Sequence, residues 1–185
     1  MNNAAESMRK RLPVASVLGR AAFVATVASL VLYFAYLRPL QMRWGATAVE
    51  IARTLPGDRV VGNATFVATR ALTIEAPPER IWPWIVSKGG EERRFVKGFE
   101  TNRYMLWLAR SAPRLTWCWT LSPVGPNRTR VVTRVRFHHA WMSPAAWRVL
   151  LADLGDFYRV RTALLDVKAK AEAPGRGQEP ARKAD

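Results

Sequence analysis

Residues 115–121, LTWCWTL, the turn 122–127, SPVGPN, and residues 128–138, RTRVVTRVRFH, together decide the fold. In the first run leucine and tryptophan alternate with threonine and Cys118, and in the second run arginines alternate with apolar residues and threonine. A period of two is typical of a strand with one buried face. Two such strands around a turn rich in glycine and proline predict an antiparallel β-hairpin.

Upstream of the hairpin the sequence predicts one clear strand, a short helix and two weaker strands. Residues 66–75, FVATRALTIE, alternate and form the clear strand. The prolines that follow are compatible with the first turn of a helix, which we expect to end near Gly89-Gly90. Residues 95–99 and 103–110 are the weaker strand candidates, because Gly98 and an apolar run blur their alternation.

Downstream of the hairpin a long amphipathic helix is expected. Ser143-Pro144 supplies a capping hydroxyl followed by a proline in the first turn. Apolar residues then recur at helical spacing until about Glu172. The resulting fold class is α+β, with a curved antiparallel sheet that wraps the C-terminal helix. Residues 173–185 carry no large apolar side chain, so a disordered tail is predicted.

The N-terminus carries a candidate transmembrane helix. Residues 21–37, AAFVATVASLVLYFAYL, contain no charge, and residues 14–19 extend the apolar stretch beyond Arg20. A bilayer core of about 30 Å takes about 20 helical residues. A cleaved signal peptide is the rival interpretation, but the stretch is long for one and lacks an A-x-A-like site. Basic residues flank both ends, so the positive-inside rule leaves the orientation open.

The overall charge favours partners that carry phosphate or other anionic groups. The chain of 185 residues has 29 Lys and Arg against 14 Asp and Glu, a formal net charge of +15. We expect no nucleic-acid partner, because no recognition helix or stacking platform is evident. The arginines of residues 128–138 have two interpretations, a solvated strand face or a surface that docks on lipid headgroups. The second one assigns membrane contact to Arg128, Arg130, Arg134 and Arg136.

The inventory of reactive groups is small. Cys118 is the only cysteine, so the sequence supports neither an internal disulfide nor a cysteine-based zinc site. Acid–base catalysis needs a histidine or paired carboxylates in a dry pocket. His138, His139 and Asp156 are the residues that could serve, yet none has a recognisable partner at the required spacing. The sequence therefore predicts no catalytic residue, no metal and no cofactor, and favours a protein that is not an enzyme.

Several motifs resemble those of SRPBCC proteins, the START, Bet v 1-like and polyketide cyclase-like superfamily. The opening pieces are RWGAT at 43–47, LPGD at 55–58, ATRALTI at 68–74 and APPERIWPW at 76–84. The closing pieces are the strand from Arg128 and the end of the last helix. The resemblance spans about residues 43–172. It implies a helix-grip fold whose sheet and long C-terminal helix enclose a cavity for apolar small molecules.

The apolar N-terminal stretch, the residue patterns and this resemblance together predict the following organisation and site. We expect a basic N-terminal segment at 1–13, a transmembrane helix at 14–37, a juxtamembrane connector at 38–62, an SRPBCC-like domain at 63–172 that is shortened in its middle, and the tail. The predicted function is binding of a hydrophobic small molecule or lipid by a single-pass membrane protein. The predicted ligand-binding residues are Trp82, Trp117, Trp119, Trp147, Leu151 and Tyr158. Two alternatives remain: a cyclase- or dehydratase-type enzyme using His138 or Asp156, and a degenerate structural domain without a cavity.

Overall fold

The chain folds as an N-terminal helical unit and a sheet-bearing unit. A computed structural model describes the backbone of residues 2–90, 94–109, 115–138 and 146–173, and the side chains of residues 17–88, 96–108, 115–138 and 154–173. By their internal contacts the two units are Met1–Gln41 and Met42–Asp185. The predicted tail beyond Ala173 and the predicted helix start at Ser143-Pro144 lie outside the described residues.

The N-terminal unit contains the predicted apolar helix. Helix α1, Asn2–Leu32, continues through a π-helical turn, Tyr33–Leu37, into α2, Arg38–Met42. The stretch Val17–Met42 is long and apolar enough to cross a membrane, by length and composition alone. The π-helical turn ends two residues before Pro39, which lacks the N–H that would bond four residues back. The helix continues to Met42, five residues beyond its predicted end.

The second unit is built on one five-stranded antiparallel sheet in the order β1-β5-β4-β3-β2. Its strands are β1 Phe66–Ile74, β2 Arg94–Glu100, β3 Tyr104–Ala109, β4 Leu115–Gly125 and β5 Arg128–Phe137. The predicted hairpin is confirmed: β4 and β5 pair antiparallel, with Trp117 opposite Val135 and Trp119 opposite Thr133. The strands predicted from weak alternation, β2 and β3, also form and pair with each other.

Two helices cover one face of the sheet, which we call the inner face. They are α4, Pro78–Gly90, and α5, Ala146–Glu172. The main core lies between these helices and the inward side chains of the strands, and its largest fully buried members include Trp107, Trp119 and Leu164. The architecture is α+β with a curved sheet gripping the C-terminal helix, as the sequence predicts.

The opposite, outer face of the sheet is also covered, and no pattern in the sequence predicts this cover. A second core cluster forms there around Leu55, Ala71, Leu106, Cys118 and Val132. Leu55 belongs to the stretch predicted as a juxtamembrane connector. We call residues 43–62 the cover segment; it includes the short helix α3, Ala48–Ala52. From Met42 onward the predicted connector is thus part of the sheet-bearing unit.

Arg134 fastens the cover segment to the sheet. Its Nε donates to Thr69 Oγ1 at 2.8 Å, and its Nη1 donates to Asp58 Oδ2 at 2.6 Å. The remaining contacts are backbone carbonyls of the cover segment: Arg53 at 2.8 Å from Nη1, and Glu50 and Ile51 at 2.8 and 2.9 Å from Nη2. A guanidinium has five N–H donors. Five acceptors therefore match the full donor set of a side chain whose residue is 3% exposed.

Two neighbouring arginines of β5 hold the same segment. Arg130 forms a bidentate pair with the Glu50 carboxylate at 2.7 and 2.8 Å. The hydrogen bond from Arg130 lowers the pKa of Glu50 to about 2. Arg136 donates to the carbonyls of Val61 and Gly62 at 3.0 and 3.3 Å. The cover segment is thus held at its helix, at its turn and at its end.

These contacts correct the prediction of a basic row that faces solvent or a membrane. That prediction is wrong for Arg134, and Arg130 and Arg136 are partly buried under the cover segment as well. Strand alternation shows which side chains share a face, but it does not show what covers that face. Arg128 is exposed and pairs with Glu75 at 3.0 Å, so a membrane-surface role stays a prediction for this arginine.

Gly45 lets the cover segment lie directly against the edge strand β1. The amide of Ala71 donates to the carbonyl of Trp44 at 3.0 Å. Gly45 has φ of +69°, and a Cβ there would stand 2.1 Å from the Ala71 carbonyl oxygen. Only glycine fits this conformation and this approach together.

We expect Arg134→Ala to lower the free energy of unfolding by about 3–5 kcal/mol, because it leaves the Asp58 carboxylate without its closest cation under the cover segment. The measurement is urea unfolding of the full chain in detergent micelles, followed by tryptophan fluorescence. Arg128→Ala is the matched control, and its exposed ion pair should contribute at most about 1 kcal/mol. Equal effects of the two substitutions would contradict the assignment.

Candidate functional site

A cleft opens where the end of α4, the middle of α5 and strand β4 meet. Its volume is about 340 Å³, and it is partly open to solvent. Its wall combines apolar and charged side chains. The lining residues are Lys88, Trp117, Tyr158, Arg159, Val160, Thr162, Ala163 and Asp166. Six of these come from α5, and among them Tyr158, Thr162 and Asp166 follow one another at intervals of four, which places these three on one side of that helix.

Trp117 forms the sheet side of the cleft and is held in a fixed orientation. Its Nε1 donates to Thr133 Oγ1 at 2.7 Å, and the Thr133 hydroxyl in turn donates to the Cys118 carbonyl at 3.0 Å. A buried indole N–H usually needs such an acceptor. Because the polar atom of Trp117 is satisfied within the sheet, its ring can serve as an apolar wall.

The rim of the cleft is charged. Lys88, near the end of α4, pairs with Asp166 of α5 at 2.7 Å. Lys170 approaches the same carboxylate to 3.0 Å. The hydrogen bonds from Lys88 and Lys170 lower the pKa of Asp166, so the carboxylate is ionised at neutral pH. The ion pair between Lys88 and Asp166 joins the two helices at the mouth of the cleft.

Behind Trp117 the interior is packed with two further indole rings. The ring centroids of Trp107 and Trp119 lie 5.3 and 5.4 Å from that of Trp117. Trp119 is fully buried, and its Nε1 has no hydrogen-bond acceptor among the described residues. An oxygen atom of a buried water or of a ligand would satisfy such a donor. The tryptophans therefore divide into a wall of the cleft and a packed layer behind it.

A buried ion pair lies elsewhere on the inner face. Arg70 of β1 is 1% exposed, and its Nη1 lies 2.8 Å from Asp156 Oδ2 on α5. Its guanidinium carbon also lies 5.5 Å from the centre of the Phe157 ring. The pair is not part of the cleft lining. Its geometry ties the first strand to the last helix.

The structure brings some of the predicted ligand-binding residues together and separates others. Trp117 and Tyr158 both line the cleft, and Tyr158 is 70% exposed. Trp119 lies in the packed layer, and Trp82 packs at the margin of the main core. Trp147 and Leu151 belong to α5, but their side chains lie outside the described part of the chain.

The sequence analysis does not identify Arg70 or the polar residues that line the cleft. Arg70 has the same parity in its strand as Phe66 and Ile74, so the alternation itself signals an arginine that points inward. Thr162 and Asp166 follow Tyr158 at intervals of four, which places all three on one helix face. Lys88 gives no comparable signal, because its approach to α5 depends on tertiary packing.

The side chains of Cys118 and His138 do not line the cleft. Burial raises the pKa of the Cys118 thiol to about 12, which keeps it protonated and unreactive at neutral pH. His138 Nδ1 lies 2.6 Å from the Asn63 carbonyl oxygen at an exposed position. His139 lies outside the described residues. Within the described ranges, no three histidine, cysteine or acidic residues lie close enough to hold a metal ion.

Comparison with known proteins finds similarity in solved structures alone. No family model and no curated protein matches the chain. A START superfamily protein from Mycobacterium smegmatis is 12% identical and matches 54% of this chain and 98% of its own, with a TM-score of 0.35. The di-domain ARO/CYC protein BexL of the BE-7585A biosynthetic pathway is 15% identical and matches 63% of this chain and 54% of its own, with a TM-score of 0.42.

A third similar structure is the Aha1 dimer from Colwellia psychrerythraea. It is 15% identical, matches 60% of this chain and 100% of its own, and has a TM-score of 0.43. At these identities the similarities concern the fold.

We expect Asp156→Ala to lower the free energy of unfolding by about 3 kcal/mol, because the Arg70 guanidinium then loses its carboxylate in the interior. Equilibrium unfolding of the full chain in detergent measures the effect. Glu100→Ala, which breaks an exposed pair with Arg103, is the control and should change the value by at most about 1 kcal/mol. An Asp156→Ala protein as stable as the control would show that the ion pair is not a structural tie.

Proposed function

We propose that this chain is a membrane-anchored START-like domain that binds an apolar small molecule or lipid in the cleft beside Trp117. The single observation that carries the proposal is the cleft itself, about 340 Å³ in volume and walled by an indole ring whose N–H is already bonded. Ligand sites are typically concave, mostly apolar and supplied with a few polar groups. The cleft has this composition.

The dimensions and charges of the cleft indicate the kind of ligand. Small-molecule pockets span roughly 300–1,000 Å³, and this cleft lies at the small end of that range. Apolar surface from Trp117, Val160 and Ala163 suits a hydrocarbon or an aromatic ring, while Lys88 and Asp166 at the rim suit a polar end. A compact amphiphile, such as a medium-chain acid or a fused-ring acid, fits better than a long two-chain lipid.

Membrane attachment is supported by the N-terminal helix. Its stretch of 26 residues, Val17–Met42, corresponds to a length of about 39 Å at 1.5 Å per residue, enough to span a bilayer core of about 30 Å. Large apolar side chains such as Phe23 and Leu40 are exposed along it. A lipid environment is the natural setting for such a surface, and it is also the source of apolar ligands.

The polar groups around the cleft suit ligand binding without catalysis. A cyclase-type enzyme needs an acid, a base or an oriented donor in contact with its substrate. Asp156 is engaged by Arg70 and does not line the cleft, and His138 lies beside a backbone carbonyl at the end of β5. The cleft thus presents a wall and a charged rim, which suits retention of a ligand.

Fluorine NMR of the full chain in lipid nanodiscs tests ligand binding at a defined position. The chain is labelled with 5-fluorotryptophan, and the signals of Trp117 and Trp84 are assigned by replacing each with phenylalanine. Titration with decanoate or 2-naphthoate should shift the Trp117 signal, because its ring lines the cleft. Trp84 is partly exposed on α4 outside the lining residues and should shift much less.

Two matched substitutions on α5 complete the experiment. Ala163→Trp fills the cleft and should abolish the ligand-dependent shift of Trp117. Ala169→Trp places the same ring at an exposed position of the same helix and should leave the shift intact. If neither probe shifts Trp117, or if Ala163→Trp binds both probes as the parent chain does, the proposed site is wrong.

A further inference from the structure

The edge strand β2 carries exposed apolar side chains on the inner face of the sheet. Phe99 is 59% exposed and Val96 is 50% exposed. Val86 of α4, the helix that packs against β2, is also exposed. These three residues together with Lys97 form what we call the β2 patch. Isolated exposed apolar residues are ordinary, but a group around an edge strand marks an interaction surface.

A β-bulge brings the apolar residues of the patch to one face. Val96 lies opposite Trp107 and Phe99 lies opposite Met105, and the register shifts between Val96 and Gly98. Without the shift, residues three apart in a strand would point to opposite faces. Trp107 and Met105 both belong to the inner core, so the bulge returns Phe99 to the face of Val96. Bulges commonly re-aim side chains in this way.

Lys97 supplies the charge of the patch. It lies within the bulge, is exposed, and has no carboxylate partner in the part of the chain whose side chains are described. The arginines of β5 differ in this respect, because Arg130, Arg134 and Arg136 are engaged by the cover segment. Lys97, in contrast, is exposed and lies in the same strand as the exposed apolar residues Val96 and Phe99.

We propose that the β2 patch docks on the surface of an anionic lipid bilayer, with Phe99 and Val96 in the headgroup region and Lys97 beside lipid phosphates. Aromatic and apolar side chains insert at this depth, and a basic residue is attracted to an anionic membrane surface. The net charge of +15 adds a long-range attraction to the same surface.

The alternative occupant of an open strand edge is a second copy of the chain. A lysine and a bulge on an edge strand are devices that oppose edge-to-edge pairing, and β2 has both. Two chains of equal, high positive charge also repel each other. Lipid is the partner whose charge and chemistry complement the patch.

The proposal rests on the membrane attachment in the proposed function but not on ligand binding in the cleft. It is tested with the full chain in nanodiscs of phosphatidylcholine, with and without phosphatidylglycerol. Thr101→Cys, exposed in the turn after β2, takes an NBD fluorophore, and doxyl-labelled lipids quench it at short range. The buried Cys118, with its raised pKa, stays unlabelled at neutral pH. Val67→Cys on β1, at the opposite edge of the sheet, carries the reference label.

The expected result is strong quenching at position 101 that requires phosphatidylglycerol, and weak quenching at position 67. Lys97→Ala should lower the ratio of docked to undocked domains about fivefold, as expected for one basic residue near an anionic surface. Phe99→Ser should lower that ratio further, whereas Arg59→Ala, a change at an exposed cation of the cover segment, should leave quenching nearly unchanged. An unchanged far-ultraviolet circular dichroism spectrum shows that each variant is folded.

Three outcomes would overturn the proposal. Equal quenching of the two labels in both lipid compositions would show that the patch does not select a bilayer. Quenching at position 101 that follows the number of chains per nanodisc would identify a second copy as the partner. A chain that fails to enter nanodiscs would overturn both the docking and the attachment, whereas a missing decanoate shift with normal quenching would overturn the ligand site alone.

Discussion

The guanidinium of Arg134 is the constraint on which the outer half of the domain depends. A buried charge is tolerated when it is paired and all of its donors are bonded. Arg134 meets that requirement only because the Asp58 carboxylate and three backbone carbonyls of the cover segment stand around it. Arg130 and Arg136 hold the same segment beside it, so residues 43–62 belong to the sheet-bearing unit.

Because the cover segment occupies the outer face of the sheet, ligands and partners can approach from the inner face. With the outer face closed by the cover segment, the cleft and the exposed edge are both on the side of α4 and α5. There the tryptophans perform two tasks: Trp107 and Trp119 fill the interior, and Trp117 forms a wall. The ion pair of Arg70 with Asp156 fixes α5 against β1, and the ion pair of Lys88 with Asp166 fixes α5 against α4 beside the cleft.

The sequence predicts the sheet well because alternation is a local property. The β4–β5 hairpin, the first strand and the described parts of both inner-face helices follow from residue spacing and turn residues. The cover segment could not be predicted in the same way, because Asp58 and Arg134 are distant in sequence and only the fold brings them together. For the same reason Lys88 was not predicted beside Tyr158, although Trp117 and Tyr158 themselves were predicted for the site.

Photocrosslinking locates an apolar ligand in the cleft between Trp117 and α5. The full chain in nanodiscs is irradiated with a diazirine-bearing decanoate, and the adducts are mapped by mass spectrometry. We expect adducts on the peptides that contain Trp117 and residues 158–166, and competition by unmodified decanoate. Adducts confined to the N-terminal helix, or adducts that excess decanoate does not reduce, would show that the cleft is not the binding site.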